Sequence, residues 1–415
     1  MELTSELTTP GNKKLLTWIC YLSYFFTGTL IADLGNLMVP VSNYYHVPIG
    51  DMGYIFTYSN LGMWIMIFVS GFLLRSFTIK NILIVASIIV IVMICVLSGD
   101  NIPLTFKVAM FLVGAIGGIF MAVSTFMIVQ LYVKPKERGT QVIFTDAFFS
   151  LALFVIPLVF GALLAHNVFW MAIFFFIALL GLLMIVLTVI AKFDVFKSVL
   201  VNKNAPKTLK TDKEKWGIAI YLAALAAFLF ILAELMWLVN IIPYYETALH
   251  WNAAQAALPS SLEGLAQIIA LFLSPFYTKI FRLNRMIILC SALSIIFLAV
   301  SVTSHDFLIV CISMFLLGIF NATVYAAILA FGTLQVKNTP PFLMTGLLFC
   351  GTTGTMLSTP FGSYLTNMFG TNVAAGLHNV LIWSVILYIL CLITMLFASA
   401  TNRMYKIHGA HAEMH

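Results

Sequence analysis

Twelve predominantly apolar stretches divide the chain, at about residues 15 to 41, 52 to 74, 81 to 98, 104 to 131, 141 to 165, 168 to 191, 216 to 242, 253 to 277, 286 to 303, 307 to 332, 342 to 368 and 376 to 399. Each approaches or exceeds the roughly twenty residues a helix needs to cross the hydrocarbon of a bilayer. They are continuous runs rather than alternating segments, so they predict helices. A β-barrel is excluded, because each helix must satisfy its own backbone groups in lipid. The separators are short and polar except for one. The stretch Lys192 to Lys215 carries seven lysines against Asp194, Asp212 and Glu214.

The two sides of that stretch repeat one another. With an offset of about two hundred residues, Ala32-Asp33-Leu34 falls on Ala233-Glu234-Leu235, Gly118-Ile119-Phe120 on Gly318-Ile319-Phe320, and Tyr44-Tyr45 near Tyr244-Tyr245. The expected organisation is a bundle over residues 1–191, a basic linker over 192–215 and a second bundle over 216–415. The predicted fold class is an all-α membrane protein, twelve transmembrane helices in two pseudo-symmetric six-helix bundles. Two such halves moving against each other are a transporter's layout.

Composition agrees. With 62% hydrophobic and 9% charged residues and a mean hydropathy of +1.06, the chain lacks the polar surface of a soluble protein of this length. The net charge of +6 sits in short loops rather than on a folded soluble surface, so no nucleic-acid partner is expected; the bilayer is. All six cysteines lie in apolar spans, which implies no disulfide framework. The first span follows Glu2 and Glu6, is long and lacks a small-residue cleavage site, so it is expected to stay in the mature protein.

Placing both termini inside puts Lys13, Lys14, Arg75, Lys80, Lys134, Lys136, Arg138, the linker lysines, Lys279, Arg282, Arg285, Lys337, Arg403 and Lys406 on the inner side, and leaves only Lys107 on the other. By the positive-inside rule this predicts a multi-pass membrane protein with both termini cytoplasmic.

Four acids, Asp33, Asp146, Glu234 and Glu263, lie inside spans that hold no basic residue to neutralise them. An ionisable group there is expensive unless it faces a cavity or takes up a proton, so each is a functional candidate; the plainer reading is a neutral acid satisfied by helix neighbours. Asp33 and Glu234 stand at matched depth in the first span of each half. Thr29 and Asn36 share the helix face of Asp33. Ser260, Glu263 and Gln267 form a second polar stripe, and Asn60, Gln130, Asn321, Tyr325, Tyr54 and Tyr58 offer hydrogen bonds and stacking to a small polar solute, although Tyr54, near the outer end of its span, reads rather as an interface anchor. Glu234 is the preferred proton carrier, with Glu263 next in line, and Asp33 the preferred solute ligand.

Asp146 lies near the inner end of its span. There it could pair with Arg138, or with Lys279 or Arg282, as a cytoplasmic gate. No Lys or Arg lies deep in a span, which favours a neutral or cationic solute over an anionic one. The sequence has no phosphate-binding loop, no GxSxG and no HExxH, and His46, His166, His250, His305 and His378 sit at span edges or in loops. Neither enzymatic activity, nor a cofactor, nor a metal is expected, and the working unit is expected to be a monomer. Glycines cluster in the fourth span (Gly114, Gly117, Gly118) and the eleventh (Gly346, Gly351, Gly354), where helix backbones would approach closely. Pro157 and Pro360 are candidate hinges or fixed kinks.

Four segments carry a family resemblance: Leu16-Thr17-Trp18-Ile19, Phe144-Thr145-Asp146-Ala147-Phe148-Phe149-Ser150, Lys213-Glu214-Lys215-Trp216-Gly217-Ile218 and Cys350-Gly351-Thr352-Thr353-Gly354-Thr355. The layout from about residue 15 to 400 resembles the major facilitator superfamily, and these segments closely resemble its TsgA branch, which is similar to the fucose and proton symporters. The resemblance implies a bacterial inner-membrane secondary transporter and includes Asp146 in a motif. Two departures stand out. Gly71 is followed four residues later by Arg75 where the superfamily usually has Asp, and the Gly-Pro pair of antiporters is missing around Pro157 and Gly161. The function expected is secondary active transport of a small polar solute by alternating access, as proton-coupled symport. The alternatives are an exporter of toxic compounds and a non-transporting membrane sensor or scaffold; acids in both halves argue against the last.

Overall fold

A computed structural model describes residues 9–99, 102–132, 135–196, 216–277, 282–336 and 341–401. The first half forms α1 (Pro10–Tyr45), α2 (Ile49–Ser76), α3 (Ile79–Gly99), α4 (Pro103–Leu131), α5 (Pro135–Ala165) and α6 (Ala172–Ile190). A 3-10 turn at Asp194–Phe196 follows, and the linker from 197 to 215 lies outside the described residues. The second half forms α7 (Ile218–Ala248), α8 (Ala253–Tyr277), α9 (Leu283–Thr303), α10 (Phe307–Asn321), α11 (Val324–Thr333), α12 (Pro341–Asn367) and α13 (Val373–Ala400). Each apolar stretch is helical, and α10 and α11 share one of them. Eleven spans among the described residues are long and apolar enough to cross a membrane. The twelfth is α12, also long enough at 27 residues but richer in Gly, Ser and Thr.

Local signals set the helix ends. Thr9 caps α1 by accepting the Asn12 N–H at 3.4 Å, with Pro10 opening the first turn. Asn252 and Gln255 cap α8 reciprocally, at 2.9 and 3.3 Å. Asp306 caps α10 and Asn372 caps α13, at 2.9 and 3.1 Å. The Asn12 side-chain amide both donates to and accepts from the backbone of Lys192, each at 2.9 Å, tying the start of α1 to the chain leaving α6.

The helices group into two compact units, Met1–Lys207 and Thr208–His415. Within the first, α1 packs against α4, α5 and α6, α2 against α4, and α3 against α6. Within the second, α7 packs against α11, α12 and α13, α8 against α10, and α9 against α13. Glycine contacts repeat with the packing: a Cβ on Gly118 would meet the carbonyl of Met63 at 2.6 Å, and one on Gly318 that of Glu263 at 2.3 Å. The aromatic pairs Tyr44–Tyr45 and Tyr244–Tyr245 close the ends of α1 and α7, at ring separations of 5.0 and 5.7 Å.

The exposed faces are apolar. Val85, Ile88, Ile89, Val92 and Val96 of α3, and Leu179, Leu182, Leu183, Val186 and Val189 of α6, all lie on the surface. Faces this apolar belong in lipid. Many interior hydroxyls are satisfied within their own helices: Ser23, Thr27, Ser87, Ser261, Thr366 and Ser384 each donate to the carbonyl four residues back. An ionised carboxylate has no proton to give and needs a donor from elsewhere. That difference singles out the intramembrane acids.

Candidate functional site

In the second unit, α7, α10 and α13 join in one hydrogen-bond chain. Glu234 and Trp237 lie one turn apart on α7, on the same face. The Trp237 indole Nε1–H donates to the Tyr388 hydroxyl at 3.1 Å, the Tyr388 hydroxyl donates to Asn321 Oδ1 at 3.2 Å, and Asn321 Nδ2 donates to Glu234 Oε1 at 2.6 Å. Trp237, Tyr388 and Asn321 are buried, whereas Glu234 is partly exposed. Asn321 is the last residue of α10, and Ala322 and Thr323 interrupt the helix before α11 resumes. The break therefore sits beside the carboxylate.

Glu263 and Gln267 sit one turn apart on α8, where Gln267 Nε2 donates to Glu263 Oε1 at 2.6 Å. Glu263 Oε2 is buried and has no partner among the described residues. Glu263 is near enough to Glu234 for the two to interact electrostatically, and Tyr388 is within reach of both. The rings of Phe230 and Tyr325 stack in parallel with centroids 6.5 Å apart, and Phe230 also meets the Tyr388 ring at 5.3 Å. Tyr325 lies directly over Gly351 of α12, where any side chain would displace its ring.

The first unit treats its acid differently. Asp33 is 1% exposed, and neither of its carboxyl oxygens has a hydrogen-bond partner among the described residues. The Asn36 Nδ2 amide is equally bare. Thr29 does not serve Asp33: its hydroxyl donates to the Phe25 carbonyl one turn back, at 2.9 Å. The repeat explains the asymmetry. Aligning Asp33 with Glu234 sets Asn36 opposite Trp237, and aligning Gly118 with Gly318 sets Met121 opposite Asn321 and Met63 opposite Glu263. Among the described residues, Glu234 has a side-chain donor and Asp33 has none.

Asp146 on α5 is partly buried, lies near enough to Tyr24 to act on it electrostatically, and has no hydrogen-bond or ion-pair partner among the described residues; the side chains of Arg138 and Lys279 lie outside them. Nearer the start of α1, Tyr24 and Thr125 share a hydrogen bond at 2.7 Å, Tyr21 donates to Gln141 at 2.5 Å, and the Lys13 ammonium sits 4.2 Å from the Tyr132 ring centroid. Asn60 is buried, while Tyr54 and Tyr58 are 40% and 41% exposed, more like surface anchors than lining. Trp237 and Tyr388 were absent from the residues expected at the site. The spacing of Trp237 from Glu234 was available to see, but nothing in the sequence points from Tyr388 to a residue 67 positions away.

A model of the Major Facilitator Superfamily matches residues 16–239 and again 223–406. The chain belongs to the Major Facilitator Superfamily. Among its relatives within the superfamily are a "Protein TsgA homolog" of Yersinia pseudotuberculosis serotype O:1b (strain IP 31758) and another of Yersinia pestis, each 29% identical over 398 residues, covering 96% of this chain and 99% of the relative. Two solved superfamily-like structures share the fold: the nucleoside transporter NupG, with a TM-score of 0.70 at 11% identity, covering 94% of this chain and 99% of that one, and a D-xylose-proton symporter, with a TM-score of 0.73 at 13% identity, covering 94% and 97%. The expected family and fold class hold, and as a superfamily member the protein is a multi-pass membrane transporter of small molecules rather than an enzyme.

Proposed function

We propose that this transporter takes up a small neutral or cationic polar solute by proton-coupled symport, with Glu234 as the proton carrier and Asp33 as the principal solute ligand. The observation that carries the reading is the difference between the two acids. Glu234 is partly exposed and held by one donor, Asn321, at 2.6 Å. A group that exchanges protons must be reachable by them, and its charged form must be stabilised in one state of the cycle more than in another. A hydrogen bond that favours the carboxylate does this, provided it tightens in one state and loosens in the other.

Asp33 and Asn36 have unmet hydrogen-bonding capacity. A solute rich in hydroxyl or amine groups would meet it. The D-xylose-proton symporter among the structural matches supports coupling to protons by analogy of fold. The TsgA relatives add family but no solute. We further propose that the protein sits in a bacterial inner membrane with both termini cytoplasmic, and that Asp146, with Arg138, forms a gate at the cytoplasmic side. Uptake into proteoliposomes of a panel of sugars, nucleosides, amines and organic acids, with and without an imposed pH gradient, tests the reading. Gradient-driven accumulation of a neutral or cationic solute is expected; accumulation of organic acids alone would overturn it.

A further inference from the structure

The hydrogen-bond chain that ends on Glu234 has a direction, and one residue can set it. An indole N–H donates and never accepts, so Trp237 must give its hydrogen to the Tyr388 oxygen, 3.1 Å away. With its oxygen engaged, the Tyr388 phenol passes its own hydrogen to Asn321 Oδ1, at 3.2 Å. An amide that accepts at its oxygen turns its nitrogen the other way, and Asn321 Nδ2 faces Glu234 Oε1 at 2.6 Å. Trp237 is 0% exposed, and Tyr388 and Asn321 are each 2% exposed, so little water is at hand to reverse the sequence of donors.

We propose that Trp237 is a positioning residue for the proton site, holding Asn321 with its amide nitrogen toward Glu234 by fixing the direction of the whole chain. The inference rests on the reading of Glu234 as the proton carrier. A nitrogen-first Asn321 suits the carboxylate best; to the protonated acid it offers a donor for the carbonyl oxygen but no acceptor for the hydroxyl. Proton uptake by Glu234 therefore favours turning the Asn321 amide, against the pull of Tyr388 and Trp237. Because Asn321 ends α10 at the break before α11, turning it acts on the one interrupted span described. Trp237 thus biases the site toward proton release. Among the described residues, the other titratable groups around Glu234 are Glu263 from α8, Tyr325 from α11 and Tyr388 from α13, with Cys350 of α12 beside Tyr325; none of them donates to Glu234.

The test is infrared difference spectroscopy of the full-length protein in liposomes, titrated with pH and without solute. The protonated-carboxyl stretch of Glu234 is the band missing from Glu234→Gln. Trp237→Phe removes the donor while keeping an aromatic ring, and Tyr388→Phe removes a single hydroxyl. Both are expected to let the acid form of Glu234 persist to a proton concentration about tenfold lower, since each frees Asn321 to turn. The double variant should go no further than either one. An unchanged titration in Trp237→Phe would overturn the proposal, and so would a change there with none in Tyr388→Phe, which would make Trp237 a matter of packing. Should Trp237→Phe fail to fold, Tyr388→Phe decides, because an unchanged titration in that variant breaks the chain at its middle link. If Glu234→Gln removes no titrating band, the reading of Glu234 as proton carrier falls, and this inference with it.

Discussion

Gly318 of α10 lies against the backbone of Glu263 in α8 so closely that a Cβ at Gly318 would stand 2.3 Å from the Glu263 carbonyl oxygen. The contact sets where the buried Glu263 carboxyl sits relative to α10, whose last residue holds Glu234. Gly318→Ala must therefore push the two helices apart, at an expected cost of about 1–3 kcal/mol. Thermal unfolding in detergent should show a clear loss of stability. Gly71→Ala, at a helical site where an added Cβ meets nothing within 4 Å, is the control and should be neutral or stabilising. A Gly318→Ala variant as stable as the parent would mean the helices are not held this tightly.

Asp33→Asn should weaken solute binding about tenfold or more, the scale of a lost hydrogen bond to a charged group. Asn36→Leu should weaken it in the same direction. Thr29→Val should leave binding nearly unchanged, because the Thr29 hydroxyl is engaged by Phe25 of its own helix. Counterflow exchange in proteoliposomes, measured across solute concentrations for the three variants, separates these outcomes. Binding lost in Thr29→Val and kept in Asp33→Asn would reverse the assignment.

Asp146→Asn should favour the form open toward the cytoplasm if Asp146 serves a gate there. Labelling of an engineered cysteine by a membrane-impermeant thiol reagent in inside-out vesicles should then increase. Equal labelling in the variant and the parent would end the gate proposal.

Orientation is checked with reporters. One fused at Lys203 is expected to report the cytoplasm and one near Asp100 the periplasm, since every lysine and arginine but Lys107 is placed inside by this topology. A periplasmic reading at Lys203 would overturn it.

The sequence carried the architecture further than the chemistry. Helix positions were legible because a membrane span needs roughly twenty apolar residues whatever its neighbours are, and the matching segments at Gly118 and Gly318 marked the repeat. The break after Asn321 was hidden, because Asn321 and Thr323 are only isolated polar residues within a stretch long and apolar enough to read as one span. Trp237 and Tyr388 were hidden for a related reason: in an apolar span an aromatic residue reads as core or lipid contact, and only the packing of α7 against α13 turns its polar atom into a link. Thr29 misled in the opposite direction, since a shared helix face does not reveal that a hydroxyl bonds to its own backbone.

Coupling of proton movement to solute movement by Glu234 is tested by Glu234→Gln, which fixes a neutral side chain at that site. In proteoliposomes this variant is expected to lose accumulation driven by a pH gradient while retaining counterflow exchange of the same solute. Accumulation against the solute gradient with an unchanged pH dependence would contradict it and move the proton site elsewhere, to Glu263 first.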